Sequence, residues 1–295
     1  MPVFVAVSRS ADSAVFLEES GEALFVQKGF EPPRAMLRLT LPPAPSRRPI
    51  AIASWRSEWL AVNGSDKLLR FSSEGRFRGE RTLPGATSGL MTAGAVLWIH
   101  NGLGVRGFPE LWSSCDGVRF DAAPDSGRPV AKGTISAIVE GQALLAGRPD
   151  GGLLVAYVIG PPTLYRLSVD RRVEAWGLAY WRSRERAALE TFRNDRQELT
   201  DYSAPVRDLV ANPDGTVLVL RNREDRRGAQ KQLESEVGRR VDQYASDGAH
   251  TGTATFGETI QWVLRSRGKE IVVLTREGHV LHAPLGPPTA GGLVD

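Results

Sequence analysis

Ile50-Ala51-Ile52, Trp59-Leu60-Ala61-Val62, Asn63-Gly64-Ser65-Asp66 and Leu68-Leu69-Arg70-Phe71 follow one another as three apolar runs separated by short polar breaks. Asn-Gly and Ser-Asp supply the residues that tolerate positive φ or close a side-chain turn, as a tight hairpin requires. The same module stands earlier at Val5-Ala6-Val7, Val15-Phe16-Leu17 and Leu24-Phe25-Val26, with Glu19-Ser20-Gly21-Glu22 as its turn. A fourth run, Ala35-Met36-Leu37-Arg38-Leu39-Thr40, follows Pro32-Pro33. Strand-like units that repeat at about 40 residues predict a β-propeller built from small antiparallel sheets.

Further copies extend the period. Gly89-Leu90-Met91, Val96-Leu97-Trp98-Ile99 and Val105-Arg106-Gly107-Phe108 make a third, with His100-Asn101-Gly102 as a turn. A fourth runs Ile135 to Val139, Ala143-Leu144-Leu145 and Leu153 to Tyr157, with Leu164 to Val169 as its outer strand. A fifth opens at Trp176-Gly177 and continues through Ala187 to Phe192 and Glu198 to Tyr202. The seventh reads Ile260 to Leu264, Ile271 to Leu274 and Val280-Leu281-His282, and this last blade is expected either to have a degenerate outer strand or to borrow one from the N-terminus. The expectation is a seven-bladed, all-β propeller of four-stranded blades filling 1–295 as a single domain. The alternative is six blades plus a helical insertion near 181–202, because Ala188, Leu189, Phe192 and Leu199 also fit one helical face.

The sixth copy carries the family likeness. Val206-Arg207-Asp208-Leu209-Val210-Ala211-Asn212-Pro213-Asp214-Gly215-Thr216-Val217-Leu218-Val219-Leu220, resumed by Arg240-Val241-Asp242-Gln243-Tyr244-Ala245-Ser246-Asp247-Gly248, resembles a blade of the NHL and WD40-like propeller superfamily. The Gly-His and Trp-Asp signatures of true WD40 repeats are absent, so the resemblance implies a fold and carries no binding residues. Between the two halves lies Asn222 to Arg239, a charged excursion where other copies close in a few residues. Its composition suits a loop or a short helix from Ala229 to Val237, either a solvated surface or a partner-docking arm.

Chemistry-bearing patterns are sparse. His279 and His282 are three apart on an expected strand, where such residues face opposite ways, so a shared metal is not expected. The single cysteine, Cys115, lies in Trp112-Ser113-Ser114-Cys115-Asp116-Gly117, read as turn-like, and has no His at a recognisable spacing. No calcium loop, phosphate-cradling glycine loop or nucleophile elbow is present in the sequence. Asp208, Asn63 and His100 could contribute to a channel site of the kind propeller hydrolases and lyases assemble from several blades. No catalytic residue, cofactor or metal is assigned.

Charge is nearly balanced at +3, with 37 basic and 34 acidic residues. Five of the basic residues are lysines, which leaves 32 arginines. Arginine binds phosphates in two places at once, but the interspersed acids make a nucleic-acid clamp the weakest of three functional expectations. The favoured one is a non-enzymatic scaffold for one or more protein subunits within a bacterial-type multi-subunit complex. The second is a small-molecule hydrolase or lyase. Candidate partner-binding residues are Arg226, Arg227, Lys231 and Leu233 in the excursion, together with Trp55 and Trp59, which flank a blade turn. No apolar run approaches the roughly 18 residues of a membrane helix, and the N-terminus reads as no signal peptide, so a cytoplasmic location is expected.

Overall fold

In a computed structural model of the chain, the residues described are 4–10, 13–18, 23–28, 35–41, 51–87, 89–100, 111–122, 143–157, 163–170, 172–177, 206–221, 238–267 and 269–287. They form twenty-three strands and, among the described residues, no helix. The strands make six antiparallel sheets, in each of which sequence order is spatial order. The chain divides into two compact units, 1–141 and 142–295.

The first unit holds three sheets. They are β1 to β4 (Phe4–Ser10, Ser13–Glu18, Ala23–Lys28, Ala35–Thr40), β5 to β8 (Ala51–Trp55, Glu58–Val62, Lys67–Ser72, Phe77–Thr82) and β9 to β12 (Gly89–Ala93, Val96–His100, Leu111–Ser114, Asp121–Ala122). The second unit holds β13 to β16 (Ala143–Gly147, Leu153–Tyr157, Thr163–Leu167, Val173–Gly177) and β17 to β20 (Val206–Ala211, Val217–Arg221, Arg240–Tyr244, His250–Thr255). Its last sheet, β21 to β23 (Ile260–Arg267, Glu270–Thr275, Val280–Pro284), has three strands. Within each unit the first strands of successive sheets pack together, β1 on β5 on β9 and β13 on β17 on β21.

That stacking explains why the inner strands read as continuous apolar runs. A strand buried on both faces has no solvent side to alternate with. In the second sheet Ile52, Ala61, Leu69 and Phe71 pack with Leu39 and Leu41 of the first sheet. The alternate residues Ala51, Ala53, Leu60, Val62 and Leu68 pack with Leu90, Leu97 and Ile99 of the third. The fifth sheet repeats the arrangement: Leu209, Val217 and Val219 meet Leu154 and Leu164 on one side, and Val210, Leu218 and Leu220 meet Ile260, Val263 and Val273 on the other. The outer strand β8 is mostly exposed and polar, which suits a sheet edge.

Three strand assignments differ from the sequence expectation. β10 pairs with β11 at Leu111–Ser114, so Trp112 to Ser114 belong to a strand and the turn begins at Cys115. The run expected there, Val105 to Phe108, lies outside the described residues. Leu164 and its neighbours form the third strand of the fourth sheet, and Trp176-Gly177 close its outer strand β16 instead of opening a fifth module. Short apolar runs of equal quality at 105–108 and 111–112, or at 135–139 and 143–147, cannot be ranked by periodicity alone. Ile135 to Val139, the rest of the fifth copy and the alternative helical insertion near 181–202 lie outside the described residues.

Candidate functional site

β18 ends at Arg221 and β19 begins at Arg240, so these residues bracket the charged connection. The two strands are in register through Leu220 opposite Val241 and Val219 opposite Asp242. Asp242 is 1% exposed. Its carboxylate accepts the Thr253 hydroxyl at 2.6 Å and the Arg221 Nε–H, and lies 3.5 Å from both Arg240 Nε and His250 Nε2. Burial pushes this carboxyl up, but the His250 contact, the Arg221 charge and the Thr253 hydroxyl outweigh it and hold the group below the usual aspartate range. One buried charge therefore ties both roots of the excursion, one arginine from each strand.

The neighbouring strand is fixed by a second carboxylate. A bulge between Val206 and Asp208 interrupts the β17 to β18 ladder, and β21 is bulged on either side of Trp262 and Val263. Bulges leave backbone groups without ladder partners. Asp208, 8% exposed, takes up two of them, accepting the Leu209 N–H at 2.9 Å and the Val263 N–H at 2.7 Å. Asn212 Oδ1 accepts the Ser266 N–H at 3.2 Å further along the same seam. These two side chains join the fifth sheet to the sixth.

The residues singled out in the sequence fall as follows. Arg226, Arg227, Lys231 and Leu233 lie outside the described residues. Trp55 and Trp59 are buried, at 8% and 5% exposure. Trp59 belongs to the core between the first two sheets and Trp55 to the core between the second and third. The Trp55 Nε1–H donates to the Ala95 carbonyl at 3.1 Å, and the Arg56 guanidinium covers its ring at 4.6 Å. Both rings therefore serve packing where the structure places them. Asp208 is committed to backbone groups, Asn63 Oδ1 accepts the Ser65 N–H and hydroxyl within its own turn, and His100 is buried at the end of β10. His279 pairs with Glu258 at 3.0 Å and His282 with Glu270 at 3.6 Å, each with its own acid. Among the described residues no group of three or more His, Cys, Asp or Glu converges as a metal site would. Asp242 is the residue that sequence reasoning missed. An acid between Val241 and Gln243 reads as an ordinary strand charge, and its partner Arg221 stands on the far side of the excursion.

Comparison with known proteins identifies the fold. No family model matches the chain, and no curated protein matches its sequence. Among solved structures it is similar to a streptogramin B lyase, with a TM-score of 0.56 and 12% identity over 98% of this chain and 85% of that one. Virginiamycin B lyase from Staphylococcus aureus gives a TM-score of 0.55 and 10% identity over 96% and 84% of the two chains. YCF48 bound to D1 peptide gives 0.53 and 10% identity over 97% and 80%. The chain has the β-propeller fold, without a specific family, and structures of that fold include both lyases and a protein bound to a peptide.

Proposed function

We propose that this chain is a non-enzymatic β-propeller scaffold, cytoplasmic and part of a multi-subunit complex, that presents the 222–239 excursion to a protein partner. The supporting observation is the Asp242 clamp. A long connection needs no buried ion pairs at its roots if it only bridges two strands, and fixing the roots lowers the ordering cost of binding through what lies between them. Arg221 and Arg240 meet one carboxylate where β18 ends and β19 begins. The likeness to streptogramin lyases is one of fold and brings no activity to this chain.

The test is deletion of residues 223–237, closed by a Gly-containing turn that keeps Gly238, Arg239 and Arg240. Stability should change by no more than about 1 kcal/mol, because the cost of closing a loop varies only slowly with its length. Affinity capture from the native host should lose the partner that the intact chain retains. Unchanged capture would reduce the excursion to a connection and end the scaffold reading as stated.

A further inference from the structure

After β23 the chain leaves its own sheet. The Leu285 N–H still donates to the Lys269 carbonyl at 2.7 Å, one step beyond the β22 to β23 ladder. Gly286 instead pairs antiparallel with Thr253 of β20, donating its N–H to the Thr253 carbonyl at 2.9 Å and accepting the Thr253 N–H at 3.3 Å. A two-residue strap thus crosses from the sixth sheet to the outer strand of the fifth. Pro284 and Pro287 bracket it, and a residue that precedes proline is held extended, the backbone shape that edge pairing needs. The crossing is close: a Cβ on Gly252 would lie 2.5 Å from the Gly286 carbonyl oxygen and 2.7 Å from Leu285 Cγ. Leu285 itself packs against the core between the fifth and sixth sheets.

Thr253 carries the strap on its backbone and the roots of the excursion on its side chain. Its hydroxyl donates to Asp242 at 2.6 Å, and the same oxygen lies 3.2 Å from His250 Nε2 and 3.5 Å from Arg240 Nη2. Asp242 in turn meets Arg221 at the end of β18 and Arg240 at the start of β19. The strap, Thr253, the buried carboxylate and the two arginines are therefore one unbroken series of contacts within the second unit. Its first link is its weakest. An isolated bridge of two backbone hydrogen bonds opens at far less cost than a strand in the interior of a sheet. The link it governs is a strong one, because a hydroxyl set against a buried charge contributes more than one set against a neutral acceptor.

We propose that Leu285 and Gly286 form a regulatory strap: docked on β20, it holds Thr253 against Asp242 and keeps the roots of the excursion fixed, and lifting it releases them. The two-state element is the attachment of the strap, and any ligand that draws the C-terminal segment away from β20 biases it. The output rests on the scaffold reading, since fixed roots lower the ordering cost of binding a partner. The coupling of strap to carboxylate is a property of the chain alone.

Carbon-detected NMR titration of the Asp242 carboxyl in the full chain reads that coupling. Gly252→Ala pushes the strap off β20, and Leu285→Ala removes its anchor. In both, Asp242 should titrate about one pH unit higher than in the parent, the weight of one hydrogen bond to a charged group. Thr253→Val, which deletes the hydroxyl itself, should give the same rise, and adding Leu285→Ala to it should raise the value no further. Leu281→Ala, which thins the same core outside the strap, should leave the titration where it is. At neutral pH the Thr253 and Asp242 amides should exchange about tenfold faster in both strap variants, which reads the coupling even where acid unfolds them. An unchanged Asp242 in the strap variants, a further rise in the combined variant, or an equal rise in Leu281→Ala would each overturn the proposal. Native-partner capture separates the two readings. Capture lost on deleting 223–237 but kept in full by both strap variants sinks the regulatory role alone. Capture kept by the deletion sinks the scaffold reading, and the titration then decides the strap by itself.

Discussion

Asp242 sets the energetics of the excursion's roots. A charge that is 1% exposed survives only because two guanidinium groups, a hydroxyl and an imidazole surround it. Removing one partner of a buried ion pair strands the other and costs about 3–5 kcal/mol. Asp242→Asn should therefore lower the urea midpoint by a corresponding amount, with Arg221 left buried without its counter-charge. The pH dependence has a defined sign. The folded-state pKa lies below the ordinary aspartate value, so its contribution is fully present above about pH 4 and is lost as pH falls through the lower folded value. Acid titration of stability should be shallower in Asp242→Asn than in the parent. An identical acid profile would show that the carboxylate is not the group that holds the roots.

At the scale of elements, the seam between β17 and β21 depends on side chains standing in for ladder hydrogen bonds. Asp208→Ala would leave the Val263 N–H without its acceptor, at a cost of about 1–3 kcal/mol. Hydrogen exchange at the Val263 amide should accelerate more than exchange at Val219, which lies in the interior of the fifth sheet. Equal acceleration at both would mean that the two sheets unfold as one unit. The strands of the second and fifth sheets were legible because their apolar runs are bounded by unambiguous turns, Asn63-Gly64-Ser65-Asp66 and Asn212-Pro213-Asp214-Gly215. The third and fourth sheets were shifted in places because the residues that decide between two short apolar runs are partners distant in sequence, not neighbours. The same reason hid the site. Arg221 and Asp242 are joined only after β18 and β19 have paired across the excursion.

For the molecule as a whole, the order of strands is the feature with the widest reach. Every sheet is a meander of consecutive strands, so strand pairings elsewhere close over short stretches of chain, while β18 and β19 pair across the 222–239 connection with their ends held by a buried carboxylate. The cost of closing a flexible loop grows only as the logarithm of its length, about 0.6 kcal/mol per doubling. The length of chain between Arg221 and Arg240 therefore adds little to the cost of pairing β18 with β19. Grafting a small, independently folded domain whose termini lie close together in place of 223–237 should give a chimera whose parent unfolding transition shifts by no more than a few degrees. A matching graft between Val62 and Lys67, a tight hairpin of the first unit whose Asn63 is buried, should lower it far more. Chain inserted between Arg221 and Arg240 thus adds material at one place without lengthening any other strand connection.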